Sequence, residues 1–303
     1  FSQKSLDVQR NVVIEEFKQR YFNNPYGDIW LKLRPLAYKV HPYQWPTIGK
    51  NIDHIAGASL EEVEDFFHRF YAPDNAILSI SGNITDEKAL ELVKKWFGDI
   101  PPARYKRKAL PMEPQQTEER RLVCEHNKVP ADAIYKVYHM GDRRSDNFYT
   151  CDTISDILSN GQSSRLYINL IKNGKLFSEI DAYITGDMDP GLFIFSGKLS
   201  EGVAIEEAEA AIQNEIDRFI EDPISERELQ KVINKTEARI SYSEINYQGK
   251  SANLAFFDYL GDINLINSES IRYAEVSLDS IKQTARELFS TQNCSTLWYL
   301  KDK

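Results

Sequence analysis

The chain has 303 residues and carries 37 Lys and Arg against 46 Asp and Glu, a formal net charge of −9 at pH 7. Apolar residues make up 42% and charged residues 27%, a balance that excludes bulk disorder and collagen-like repeats. No stretch approaches the run of about 18 apolar residues a membrane-spanning helix needs, and a sequence pI near 5.2 argues against a general nucleic-acid binder. The basic run Arg104–Lys108, which follows Pro101-Pro102, reads as a solvated linker. Three cysteines, Cys124, Cys151 and Cys294, are too few and too scattered for a disulfide framework or a thiolate metal site. The chain opens on Phe-Ser-Gln-Lys with no initiator Met, basic n-region or apolar h-region. We therefore expect an internal start.

Apolar residues at helical spacing predict a helix over 1–22, stopped by Asn23-Asn24-Pro25-Tyr26-Gly27. A second helix is expected over 28–38. The two prolines and one glycine of 41–49 predict a loop. Ser59 with Glu62 three residues later forms a capping-box signature opening a helix to about Tyr71. A turn at Pro73-Asp74-Asn75, a strand at Ala76–Ser81 and a Thr85-capped helix to Phe97 follow. Residues 98–121 hold four prolines and read as a linker. Beyond it we expect strands at 133–139, 180–185, 192–197 and 295–300. Helices are expected at 146–158, 164–172, 205–220, 225–243, 252–260 and 278–289.

An internal repeat is visible at an offset of 218 residues. It pairs Ser59-Leu60-Glu61-Glu62-Val63 with Ser277-Leu278-Asp279-Ser280-Ile281, Phe70-Tyr71 with Leu288-Phe289, and Asn75 with Asn293. Each copy reads as a capped helix, an Asn-containing turn and a strand.

The segment Gln9-Arg10-Asn11-Val12-Val13-Ile14-Glu15-Glu16, then His41-Pro42 leading to Ile48-Gly49, then Ser59-Leu60…Phe70-Tyr71…Pro73…Asn75…Gly82-Asn83, resembles the pitrilysin/insulinase family of zinc metallopeptidases. Ser163-Ser164-Arg165-Leu166-Tyr167 and Asp189-Pro190-Gly191-Leu192-Phe193 resemble the same family, so the likeness spans nearly the whole chain. The resemblance implies an α+β protein of two homologous domains, each an antiparallel-rich sheet with helices packed on it. Residues 1–100 would be the C-terminal part of an incomplete first domain, 101–121 the linker and 122–303 the second domain.

In that family two His and a Glu of an inverted His-x-x-Glu-His motif serve as zinc ligands and general base, and a Glu on a later helix is the third ligand. Two imidazoles and a carboxylate hold zinc with one position left for water. The metal acidifies that water and the nearby carboxylate takes its proton. The resemblance places the third ligand at Glu16. The assisting position seven residues earlier, usually Glu, is Gln9 here, which cannot act as a base. The five histidines, His41, His54, His68, His126 and His139, form neither His-x-x-Glu-His nor its reverse. The motif is accordingly expected before Phe1. Two substrate-binding positions, commonly Arg and Tyr, correspond to Ile171 and Ser178.

Other constellations read as structural. Glu64 and His68, one helical turn apart, read as an exposed ion pair. His41 reads as a turn or packing residue, Ser163-Ser164 has no hydrolase context, and the acidic stretch 201–221 reads as one solvated helix face. The implied function is part of a zinc-dependent endopeptidase acting on peptides or unfolded polypeptides, this chain being inactive alone and retaining no zinc. The alternative is a non-catalytic partner or scaffold subunit that binds peptide without cutting it. A homologous partner subunit or dimer is expected, with no nucleic acid and no membrane span.

Overall fold

In a computed structural model, residues 1–103, 108–126 and 129–302 are described. The expected linker run at 104–107 lies outside the described residues, and Lys108 beside it is exposed. In chain order the elements are helices α1 (Gln3–Phe17), α2 (Ile29–Ala37), α3 (Ile52–Gly57), α4 (Leu60–Phe70) and α5 (Asp86–Phe97), then strands β1 (Arg120–His126) and β2 (Ala133–His139). They continue with α6 (Phe148–Ser159), β3 (Phe177–Ile184), β4 (Leu192–Leu199), α7 (Ile205–Glu221), α8 (Glu226–Ser243) and α9 (Tyr247–Leu260). Helices α10 (Glu269–Ala274) and α11 (Leu278–Leu288) and strand β5 (Cys294–Lys301) complete the chain. Two compact units result. One gathers 1–17, 48–109 and 237–270, the other 18–47, 110–236 and 271–303.

The larger unit holds a five-stranded sheet of order β1-β5-β2-β4-β3. Strands β1 and β5 are parallel, in register Arg120↔Ser295, and the remaining pairs are antiparallel. The fold is thus α+β with one mixed, antiparallel-rich sheet among the described residues; the expected sheet in each of two domains is not formed, because all five strands lie at or after Arg120 and none comes from residues 1–100. Both faces are covered, which is why β2 is buried along almost its whole length rather than alternating. On one face Ile29, Leu33 and Ala37 of α2 pack with Tyr135, Val137, Ile194 and Leu297. On the other, the Phe289 ring after α11 lies 5.2 Å from Tyr138, 5.1 Å from Phe193 and 5.6 Å from Phe195. Gly197 is required where β3 crosses it, because a Cβ there would meet the Phe177 ring at 2.6 Å.

Lys136 is the one charged side chain buried within β2, 4% exposed. Its Nζ donates to Glu209 Oε1 of α7 at 3.0 Å. The same carboxylate accepts a two-pronged Arg121 guanidinium and, at 2.8 Å, the Trp298 indole N–H. Burial by itself would raise the Glu209 pKa, but these donors outweigh it and hold the carboxyl below the usual carboxylate range.

Strand β1 starts in the last two residues of the expected linker, Arg120 and Arg121, and runs to His126, where the sequence predicts no strand. Its Arg-Arg-Leu-Val-Cys-Glu-His run shows no strong apolar alternation, and its ladder is supplied by the distant β5. The six-residue α3, opened by Asn51 whose side chain accepts from His54 N, is too short to show a helical period. The expected helix over 1–22 is α1 followed by one π-helical turn, Lys18–Phe22, and the expected helix over 164–172 is largely π-helical, Tyr167–Asn173.

The two copies of the repeat match residue for residue. Ser59 and Ser277 each close a capping box, with Glu62 and Ser280. Helices α4 and α11 both run 11 residues. One-turn 3₁₀ helices follow at Pro73–Asn75 and Thr291–Asn293. The Asn75 side-chain amide donates to Phe70 O at 2.7 Å, and that of Asn293 to Leu288 O at 2.9 Å. The copies then diverge. Cys294–Lys301 is strand β5, whereas the strand expected at Ala76–Ser81 has no ladder among the described residues. Ile77, Leu78 and Ile80 there are 43%, 55% and 47% exposed.

Candidate functional site

Helix α1 holds itself in the smaller unit by one stripe. Leu6, Arg10, Val13, Ile14 and Phe17 recur at three- and four-residue intervals and are the partly or fully buried positions of the helix. The Arg10 guanidinium reaches the Ala58 carbonyl, with Nε at 2.9 Å, and pairs with Asp7 at 2.9 Å. This anchors α1 to the bend between α3 and α4.

Gln9 and Glu16 stand off that stripe. Both are exposed, and their separation of seven residues places them two turns apart on one face. Val12, 54% exposed, lies between them at three and four residues' spacing. Glu16 is the penultimate residue of α1, just before the π-helical turn, a backbone irregularity frequent at functional sites. The structure thus brings together on one solvent-facing surface the two positions the resemblance singles out. Zinc needs three or four protein donors. Among the described residues no three His, Cys, Asp or Glu side chains converge as a metal site. Glu16 brings one carboxylate and Gln9 only an amide, so the donor set here does not by itself fit the ion.

The motif residues of the larger unit converge at the β3–β4 hairpin tip. His41 is 2% exposed, and its Nδ1 accepts from Tyr43 N at 3.2 Å. Its Nε2 stands 3.3 Å from Asp189 Oδ2. Tyr38 Oη donates to Pro190 O at 3.0 Å, and Tyr43 Oη accepts from Asp189 N at 3.3 Å. Gly191 has no room for a side chain, since a Cβ would fall 2.5 Å from Thr185 Oγ1. His41-Pro42 and Asp189-Pro190-Gly191, far apart in sequence, are therefore two sides of one packed turn.

Glu113 completes that turn. Its carboxylate accepts the backbone N–H groups of Lys39, Val40 and His41 at 2.8, 2.8 and 2.9 Å. Burial pushes its pKa up, but the three amides push it further down, below the usual value. Glu113 falls in the expected linker, and no local pattern marks it, because its partners are backbone groups more than 70 residues away.

Of the Ser163–Tyr167 motif, Leu166 is fully buried, and Arg165 Nε bonds Glu228 Oε1 at 2.9 Å. Burial would raise the Glu228 pKa, but Arg165 and the Ser225 amide and hydroxyl lower it to about 2. Ile171 lies within the π-helical turn. Ser178, exposed on the edge strand β3, donates its hydroxyl to Lys198 O at 3.2 Å. Neither side chain supplies the cation or phenol that the family commonly has at these positions. No helix among the described residues is long and apolar enough to cross a membrane.

A family profile described as "Peptidase M16 inactive domain" matches residues 57–236, more than half the chain. The chain belongs to the M16 peptidase family.

It is 27% identical over 299 residues to the zinc protease PqqE of Helicobacter pylori, covering 96% of this chain and 66% of that protein. A crystal structure of a protease from Helicobacter pylori superposes with a TM-score of 0.91 at 23% identity, covering 99% of this chain and 73% of that one. A chain of complex III2 from Candida albicans shares the fold at 13% identity and a TM-score of 0.79, over 98% of this chain and 70% of that one. The chain spans about two thirds of the length of two curated relatives it matches, 66% and 69%.

Proposed function

We propose that this chain is the C-terminal part of a zinc-dependent endopeptidase acting on peptides or unfolded polypeptides, with Glu16 as the third zinc ligand and Gln9 a hydrogen-bonding neighbour. In this reading residues 1–100 are the C-terminal part of a first domain and 122–303 a second, homologous one joined by 101–121. The His-x-x-Glu-His ligands then come from sequence before Phe1, and the chain alone neither cleaves peptides nor retains zinc.

One observation carries the reading. The profile of the inactive domain covers 57–236, and Gln9 and Glu16 lie outside it, side by side on an exposed helix face. The matched but unladdered repeat copy at 76–81 supports an incomplete first domain. When bound, zinc would polarise a scissile carbonyl and acidify a water. What this chain supplies is one carboxylate held on a helix that Arg10 fixes in place.

The test is the longer protein, including the sequence upstream of Phe1. Glu16→Gln is expected to abolish metal-dependent peptide cleavage and to release zinc on dialysis, while the far-ultraviolet circular dichroism stays unchanged. Full cleavage by Glu16→Gln, or zinc-dependent cleavage by these 303 residues alone, refutes the assignment. A second reading, a non-catalytic partner or scaffold subunit that binds peptide, is favoured by Gln9, Ile171 and Ser178. An upstream sequence without His-x-x-Glu-His selects it.

A further inference from the structure

The exposed side of α8 carries Arg227, Lys231 and Lys235 at four-residue intervals, so the three cations form a stripe with a repeat of roughly 6 Å. None of the three makes an ion pair among the described residues, unusual in a chain with a net charge of −9. Their neighbour on the helix, Glu228, is already neutralised by Arg165. The two lysines lean onto the turn after α6. Lys231 Nζ donates to Ser163 Oγ at 3.1 Å, and Lys235 Nζ donates to Asn160 Oδ1. Gly161 adopts φ +96° there, a conformation glycine tolerates freely. A Cβ on Gly161 would lie 4.0 Å from the Lys235 ammonium.

In that turn the backbone amides of the exposed residues Gln162 and Ser163 make no hydrogen bond among the described residues. Beside the stripe, Glu226, Arg227, Gln230, Lys231 and Asn234 line a shallow, open depression on the same helix. The cation stripe of α8 thus runs beside the turn, joined to it by the Lys231–Ser163 and Lys235–Asn160 hydrogen bonds.

We propose that this stripe docks an extended acidic polypeptide segment in which Asp or Glu alternates with other residues. An extended chain places every second side chain on the same side at roughly 6.6 Å, which matches the cation repeat of α8. A carboxylate side chain of the segment caps on the Gln162 and Ser163 amides, as carboxylates do on open backbone N–H groups. The depression offers no aromatic platform for stacking bases, and the Glu226 carboxylate borders it, so a nucleic-acid strand is disfavoured. The site lies in the larger unit and does not depend on the role of Glu16.

The test uses the 303-residue chain with a fluorescent, end-blocked Glu-Ala-Glu-Ala-Glu peptide at low ionic strength, read by anisotropy and by amide chemical shifts. Expected are saturable binding that weakens with salt, shifts at Gln162 and Ser163, and a loss of roughly fivefold in affinity for each of Lys231→Ala and Lys235→Ala, the scale of an exposed ion pair. Lys→Arg at both positions should restore binding. Unchanged affinity in both Ala variants, shifts confined to other surfaces, or no binding overturns the proposal. Equal affinity for a peptide of three adjacent glutamates removes the spacing argument and overturns it as well. Tighter, lysine-dependent binding of oligothymidylate or of phosphatidylserine vesicles overturns the polypeptide assignment.

Discussion

Single carboxylates tie segments that are remote in sequence. Glu113 gathers three consecutive amides, and Glu228 takes Arg165 and the Ser225 amide and hydroxyl. Because the Glu228 carboxyl lies lowered to about 2 in the folded chain against 4.5 for the unperturbed group, folding favours its ionised form. The stability this adds is fully present above the unfolded value and is lost as pH falls through the folded one. Urea unfolding of Glu228→Gln beside the parent chain should therefore show a gap at pH 7 that shrinks from about pH 4.5 downward and closes near pH 2. A gap independent of pH would mean that the carboxylate charge is not what Arg165 and Ser225 stabilise. His41 shows the other side of this scale. Its sequence context reads as a turn or packing residue, and the structure uses it in that way, buried with one ring nitrogen capping Tyr43 N.

At the scale of elements, the Glu209 cluster joins α7 to three strands, through Arg121 of β1, Lys136 of β2 and Trp298 of β5. Removing the Glu209 carboxylate leaves the buried Lys136 ammonium uncompensated, which costs about 3 kcal/mol or more, whereas the half-exposed Arg121 keeps Glu119. We expect Glu209→Gln to lower stability on that scale in chemical denaturation. The Glu209→Gln/Lys136→Met double variant should lose less than the sum of its single variants, since the groups interact directly. Strict additivity would show that they do not. Helix α7 itself was legible in sequence as an acidic outer face over Ile205, Ala208, Ile212, Ile216 and Phe219, and all five are buried. That Glu209 turns inward was not legible, because it differs from its exposed neighbours Glu206 and Glu207 only in what the sheet presents to it.

Over the whole molecule, the repeat poses the question most directly. Its two copies share caps, helix length and Asn turn, yet only the second carries a laddered strand, β5, held between β1 and β2. Amides of 294–301 should accordingly exchange with solvent slowly and those of 76–81 rapidly, as deuterium-exchange mass spectrometry reads directly. Slow exchange across 76–81 would reveal a partner strand and contradict the incomplete first domain. In the longer protein, the same reading expects 76–81 to become protected.

The sequence by itself determined the capped helices, the Asn turns, the strands β2, β4 and β5 to within two residues, and the family resemblance. It also placed Gln9 and Glu16 on one helix face. All of these rest on interactions within a few residues of one another: a side chain reaching the next helical turn, or a period of apolar positions. The tertiary structure alone decided that Arg120–His126 is an edge strand, that Glu113 closes the His41 turn, that His41 meets Asp189, and that Lys136 and Glu209 share a buried cluster. Each of those depends on a partner many tens of residues away, brought near only when the sheet and its covering helices exclude water. No local pattern of residues encodes that proximity.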